Sequence, residues 1–179
     1  MTDREIMEIY ASGDSEAAFN AIVQSYGERI YWHVRRFTCS HEDSDDLLQD
    51  IFIKVWKALP GFRSESSLYT WIYRIATNET LNFLRKKRLR ALLSAESLET
   101  LLDRQADEDV HFNGDALQRE VQKAINALPD KQKQVFVLRY FEEMPYEEIS
   151  EITRISVGSL KASYHHASKK VRERLEKIF

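Results

Sequence analysis

The chain has 179 residues, 43% of them hydrophobic and 31% charged, which supports packed cores and fits either one domain or two small ones. It has no membrane-length apolar run, and its start, Met1-Thr2-Asp3-Arg4-Glu5, has no basic segment leading into an apolar one; a cytoplasmic protein without membrane insertion is expected. The formal charge of −3 argues, on average, against a nucleic-acid binder, but the charges are segregated. Acid gathers over Glu42 to Asp50 and Glu96 to Asp109, and base over Arg85 to Arg90 and Lys161 to Lys177, so a local field can still hold DNA.

Strand signals are absent, whereas apolar residues recur at three- and four-residue steps, so the fold class expected is all-α. After the N-cap candidate Asp14, the residues Phe19, Ile22, Val23, Tyr26, Ile30, Val34 and Phe37 form the stripe of a long amphipathic helix. Cys39 follows. A single cysteine cannot close an internal disulfide, and with only His33 and His41 nearby it does not make a zinc cluster, so no metal or other cofactor is expected.

A second stripe, Leu47, Ile51, Val55 and Leu59, flanked by Leu48, Phe52 and Trp56, ends at Pro60-Gly61. The acid at its start, Asp43 to Asp50, suits a helix N-terminus. Paired carboxylates there could also serve a metal nuclease, but Asp45, Asp46 and Asp50 lack catalytic companions, and a non-enzyme is expected.

A third helix begins near Leu68, after the capping candidates Ser66 and Ser67, and runs into the basic block, burying Leu68, Trp71, Ile72 and Ile75. Its opposite face is expected to show Tyr69, Tyr73, Thr77 and Thr80, and its later turns become polar at Asn78, Glu79 and Asn82 before Arg85 and Lys86. Aromatic rings interleaved with base suit single-stranded DNA, whose unstacked bases lie on rings while cations neutralise the backbone. The preceding loop, Phe62-Arg63-Ser64-Glu65-Ser66-Ser67, is rich in small hydrogen-bonding groups. Three such stripes can close a bundle, giving an N-terminal domain over 1–90.

Residues 91–114 turn acidic and irregular and read as a linker, within which the leucines from Leu92 to Leu102 could form a weak helix. Fully extended, about 24 residues reach roughly 80 Å, more than two turns of DNA. The C-terminal domain, 115–179, reads as a helix-turn-helix. A short helix from Tyr146 to Thr153 buries Ile149 and Ile152, Arg154-Ile155-Ser156 makes the turn, and Ser156 caps the next helix. That helix buries Leu160, Tyr164, Ala167, Val171, Leu175 and Ile178, which leaves Ala162, His165, His166 and Lys169 outward, flanked by Ser159 and Lys161. A small, polar, basic face of this kind fits a major groove. The adjacent histidines diverge by about 100° and do not share an ion easily.

Two stretches resemble the conserved regions of extracytoplasmic-function sigma factors. The segment Asp45 to Trp56 resembles region 2.2, and Trp71 to Asn78 with Asn82, Arg85 and Lys86 resembles regions 2.3 to 2.4. Leu128-Pro129, Tyr146-Glu147-Glu148-Ile149 and Val157-Gly158-Ser159-Leu160-Lys161 resemble region 4. The resemblance implies a transcription initiation factor with core RNA polymerase and promoter DNA, duplex and single-stranded, as partners. Asp45, Asp46, Gln49, Asp50 and Lys54 would dock on the clamp helices of the largest polymerase subunit. Phe62, Arg63, Ser64 and Ser66, with Tyr73, Asn78, Asn82, Arg85 and Lys86, would handle the melted minus-ten strand. The helix starting near Val157, with Ser159, Lys161, Ala162, Ser163, His165, His166 and Lys169, would read the minus-thirty-five duplex. Family members often carry arginine where Ser163 and His166 stand, so the groove contacts here are expected to be fewer or differently directed. Anti-sigma factors are common partners in the family. The competing reading is a free-standing helix-turn-helix regulator that binds duplex DNA without polymerase.

Overall fold

The computed structural model describes residues 1–179 except the side chain of Asn113. The helices run α1 (Asp3–Ala11), α2 (Ser15–Thr38), α3 (His41–Ala58), α4 (Leu68–Leu93), α5 (Leu98–Glu108), α6 (Val110–Asn113), α7 (Ala116–Asn126), α8 (Asp130–Phe136), α9 (Tyr146–Thr153) and α10 (Val157–Glu176), with no strand among the described residues. The all-α, two-region architecture agrees with the sequence pattern.

Local chemistry explains the helix boundaries. Asp14 accepts from the Ala17 amide at 2.9 Å, Ser67 from Thr70 at 3.0 Å and Ser156 from Ser159 at 3.3 Å. Each satisfies a donor that helix geometry leaves free, worth about 1 kcal/mol. Pro60-Gly61 ends α3 in a single 3-10 turn. The sequence reading missed α1, whose signal is the reciprocal cap between Thr2 and Glu5. Asp3 then ties α1 to the bundle, accepting from the Tyr26 hydroxyl and, at 3.2 Å, from the Tyr69 amide.

The stripes of α2, α3 and α4 meet as expected, burying Ile22, Ile30, Val34, Leu47, Ile51, Val55, Leu68 and Ile72. Each such side chain contributes about 1.5–3 kcal/mol by leaving water. The same cluster continues without a break through Val135, Leu138, Met144, Ile149, Ile152 and Leu160. The C-terminal helices therefore pack directly against the N-terminal bundle, mainly through α9 on α4.

Three expectations need correction. The segment 91–114 is largely helical here: α4 runs on to Leu93, and α5 and α6 bury Leu102, Ala106 and Phe112 against Cys39. On α4, Tyr73, Thr77 and Thr80 are buried, not outward, because α2 and the C-terminal region cover that side, while Trp71 and Ile75 are only half-buried. Ile178 is 49% exposed, since α10 ends two residues before it.

Candidate nucleic-acid interface

Arg154, in the left-handed region at φ 63°, stops α9, and the Ser150 hydroxyl donates to the Ile155 carbonyl at 2.7 Å to hold the corner. The chain then re-enters a helix at the Ser156 cap. Along α10 the buried stripe is Leu160, Ala167 and Val171. Ser159, Lys161, Ala162, His165, His166 and Lys169 are exposed, and Val157 and Ser163 are half-exposed at its edge. This face has no bulky apolar group, presents donors and cations, and suits base edges near the helix start and phosphates farther along. The rings of His165 and His166 lie 5.9 Å apart at 65°, which directs them to different neighbours. Lys161 reaches toward the Tyr146 ring at 5.8 Å and Lys169 toward Glu173 at 3.8 Å, so both ammonium groups stay at the surface.

The loop before α4 surrounds a small pocket of about 180 Å³, lined by Gly61, Phe62, Arg63, Glu65, Ser66, Trp71 and Arg74. The rings of Phe62 and Trp71 pack 4.9 Å apart beside it. Ser64, at φ 57°, is exposed in the loop. Asn78, Asn82, Arg85 and Lys86 are exposed on α4, with Arg85 donating to Asn82 at 3.3 Å. Trp71 and Arg74, as pocket walls, were not expected from the sequence, where Trp71 counts only as an apolar position.

Tyr73 does not share that surface. It is fully buried, and its hydroxyl donates to the Glu142 carboxylate at 2.7 Å. Burial and the nearby carboxylate push the Tyr73 hydroxyl far above its ordinary range, while burial raises Glu142. His33 Nδ1 stands 4.0 Å from Glu142, but burial holds this imidazole down to about 3, so the approach is a contact of a neutral ring and not an ion pair. Arg36 lies over the Phe141 ring at 3.6 Å, and Arg74 donates to the Glu151 carbonyl at 3.1 Å.

On α3, Asp46, Gln49, Asp50 and Lys54 are exposed and Asp45 half-exposed. Asp45 lies 3.3 Å from His41, and Lys54 pairs with Glu79. Beside them α2 and α3 leave an open groove of about 680 Å³, walled by Phe19, Val23, Leu48, Phe52, Ile53 and Trp56. Ile53 is 50% exposed and Trp56 43%. An acidic edge next to an unfilled apolar groove has the chemistry that protein-docking surfaces use.

Comparison with known proteins finds two matching regions. Residues 22–90 match sigma-70 region 2, and residues 118–171 match sigma-70 region 4. The sequence is 33% identical over 175 residues to the ECF RNA polymerase sigma factor SigW of Bacillus subtilis, covering 93% of this chain and 92% of that one. It is 30% identical over 187 residues to the ECF RNA polymerase sigma-E factor of Haemophilus influenzae, covering 99% and 97%. The chain belongs to the extracytoplasmic-function sigma factors of the sigma-70 family. It is a promoter-specific initiation factor that binds core RNA polymerase and promoter DNA, and the reading as a regulator independent of polymerase is not favoured. Sigma factors as a class are non-enzymatic. The fold of this sigma factor is also that of RpoE solved with the anti-sigma factor NepR from Bartonella quintana, with a TM-score of 0.68 at 20% identity over 88% of this chain and 96% of that one. Among the described residues, no helix is long and apolar enough to cross a membrane.

Proposed function

We propose that this sigma factor divides its task among three surfaces. The acidic edge of α3, Asp45, Asp46, Gln49, Asp50 and Lys54, docks on the polymerase clamp helices, with the groove at Ile53 and Trp56 supplying apolar contact. The loop at Phe62, Arg63, Ser64 and Ser66, with Asn78, Asn82, Arg85 and Lys86, takes the melted minus-ten strand, one base leaving the stack for the small pocket beside Phe62 and Trp71. Tyr73 joins that surface only if the C-terminal region moves away from α4. The outward face of α10, from Val157 to Lys169, reads the minus-thirty-five duplex. The observation that carries this reading is the exposure of Ser159, Lys161, Ala162, His165, His166 and Lys169 opposite a buried apolar stripe, on the second helix of a capped helix-turn-helix.

The protein works in the cytoplasm, where polymerase and DNA meet, and contributes binding and not catalysis. Its acidic residues near α3 are spread along a helix and partly engaged with His41 and Lys87. An anti-sigma partner, as RpoE has in its solved complex, is proposed for this chain too.

Run-off transcription with core polymerase over a promoter library tests the whole reading. Initiation at new sites is expected when the protein is added, and the effect should be lost when Asp46→Lys and Asp50→Lys are combined. Start sites and rates that do not respond to the protein would overturn it.

A further inference from the structure

The last turns of α4 are buried on one side only. Leu84 and Ala91, both covered, fall together on that side. At about 100° per residue, the exposed residues Leu92, Arg85, Leu89, Leu93, Lys86 and Arg90 follow one another around an arc of about 160° on the other. The exposure is large: 64% for Leu89, 65% for Leu92 and 89% for Leu93. Three leucines therefore stand in water on one helix face, with cations among and beside them.

Those cations are free of carboxylates, unlike their neighbours in the same basic block. Lys87 pairs with Asp43, and Arg88 with Asp130 at 2.8 Å. Arg85 donates to the Asn82 side chain at 3.3 Å, and Lys86 and Arg90 have no charged partner among the described residues. The acid that follows in sequence is turned elsewhere, Glu96 to Arg104 at 3.2 Å and Glu99 to Arg174 at 3.9 Å.

Few surfaces satisfy both halves of this face. DNA offers phosphate to the cations but leaves the leucines in water, and the outside of a single helix gives a protein partner no groove to fill. A bilayer interface offers both at once. Leucines enter the acyl boundary, while arginine and lysine, on long stems, keep their charges among anionic headgroups.

We propose that the C-terminal end of α4 is a peripheral docking face for anionic membrane, held by Leu89, Leu92 and Leu93 together with Arg85, Lys86 and Arg90. The contact lies on the bilayer surface and needs no spanning segment. Arg85 and Lys86 are also the cations given to the minus-ten strand above, so on that reading membrane and promoter compete for them; the lipid contact itself does not rest on it.

Co-sedimentation of the full-length protein with vesicles of phosphatidylcholine, alone or with about one-third phosphatidylglycerol, decides the proposal. Binding to the anionic vesicles should be about tenfold tighter or more than to the neutral ones, and should weaken as salt rises. Leu89→Ser, Leu92→Ser and Leu93→Ser combined should weaken it by about tenfold or more, while binding to duplex DNA and to core polymerase stays unchanged. Leu93→Ser alone, at the most exposed of the three, is the milder variant and should weaken it by about threefold. Equal binding to both kinds of vesicle, or an anionic affinity that the leucine variants leave unchanged, would overturn the proposal. So would leucine variants that lose core polymerase and keep the vesicles, because the face would then belong to a protein contact. None of these substitutions touches a residue assigned to promoter or polymerase, so a failed vesicle contact leaves the initiation reading standing, and failed initiation leaves the vesicles to judge this face.

Discussion

The Tyr73 hydroxyl donates a 2.7 Å hydrogen bond to Glu142, joining the middle of α4 to the turn that leads into the helix-turn-helix. A π-helical stretch over Val137–Phe141 makes this contact possible. Its wider turn, with the Glu142 amide on the Val137 carbonyl at 3.4 Å, swings Phe141 under Arg36 and Glu142 toward Tyr73.

Glu142→Ala leaves the buried Tyr73 hydroxyl without an acceptor and should lower unfolding stability by about 1–3 kcal/mol. Tyr73→Phe should cost less, and the double variant should fall short of the sum because the two groups form one contact. Urea unfolding of the four proteins checks this; strict additivity would show that the pair does not couple the regions.

Stability should fall as pH drops below 6.5. His33 is held down to about 3 by burial, so the folded chain keeps it neutral while the unfolded chain binds a proton near the ordinary 6.5. Its contribution is complete above that value and is lost progressively toward 3, at up to ~1.4 kcal/mol per pH unit. Glu142 and Asp103, both raised mainly by burial, take up protons more readily when folded and oppose part of the loss as pH falls toward their ordinary values. Denaturation midpoints from pH 7 to 5 should therefore show the slope, and His33→Gln should flatten it.

Lys161→Ala and Lys169→Ala should weaken duplex binding across sequences, each lowering the salt-dependence slope by about one if it meets a phosphate. Titrations at several salt concentrations, on matched and unmatched duplexes, provide the check. A slope equal to that of the unaltered protein would remove that lysine from the interface.

Trp56→Ala should weaken binding to core polymerase by about tenfold or more while the melting temperature stays nearly constant. The indole is 43% exposed and packs on Phe19 at 5.1 Å, so its removal takes away more from a partner than from the core. Equal affinity in a pull-down titration would exclude the groove from docking.

Much of this protein was determined locally along the chain. The caps at Asp14, Ser67 and Ser156 and the stripes from Ile22 to Val34, Leu47 to Val55 and Leu160 to Val171 depend on helical periodicity and on hydrogen bonds within three or four residues, and a single sequence carries both. The outward face of α10 followed from the same geometry, because a buried stripe leaves only one other side. What faced Tyr73 and Cys39 was decided elsewhere. Tyr73 has the spacing of a surface aromatic, but Glu142 lies 69 residues away along the chain. Residues 98–113 carry the acid of a solvated linker, but Arg35, Lys123 and Asn126 neutralise or hydrogen-bond it once α2 and α7 meet. Such contacts join distant residues, and no local pattern encodes them; they exist only when the helices have packed and the desolvated charges have found their partners.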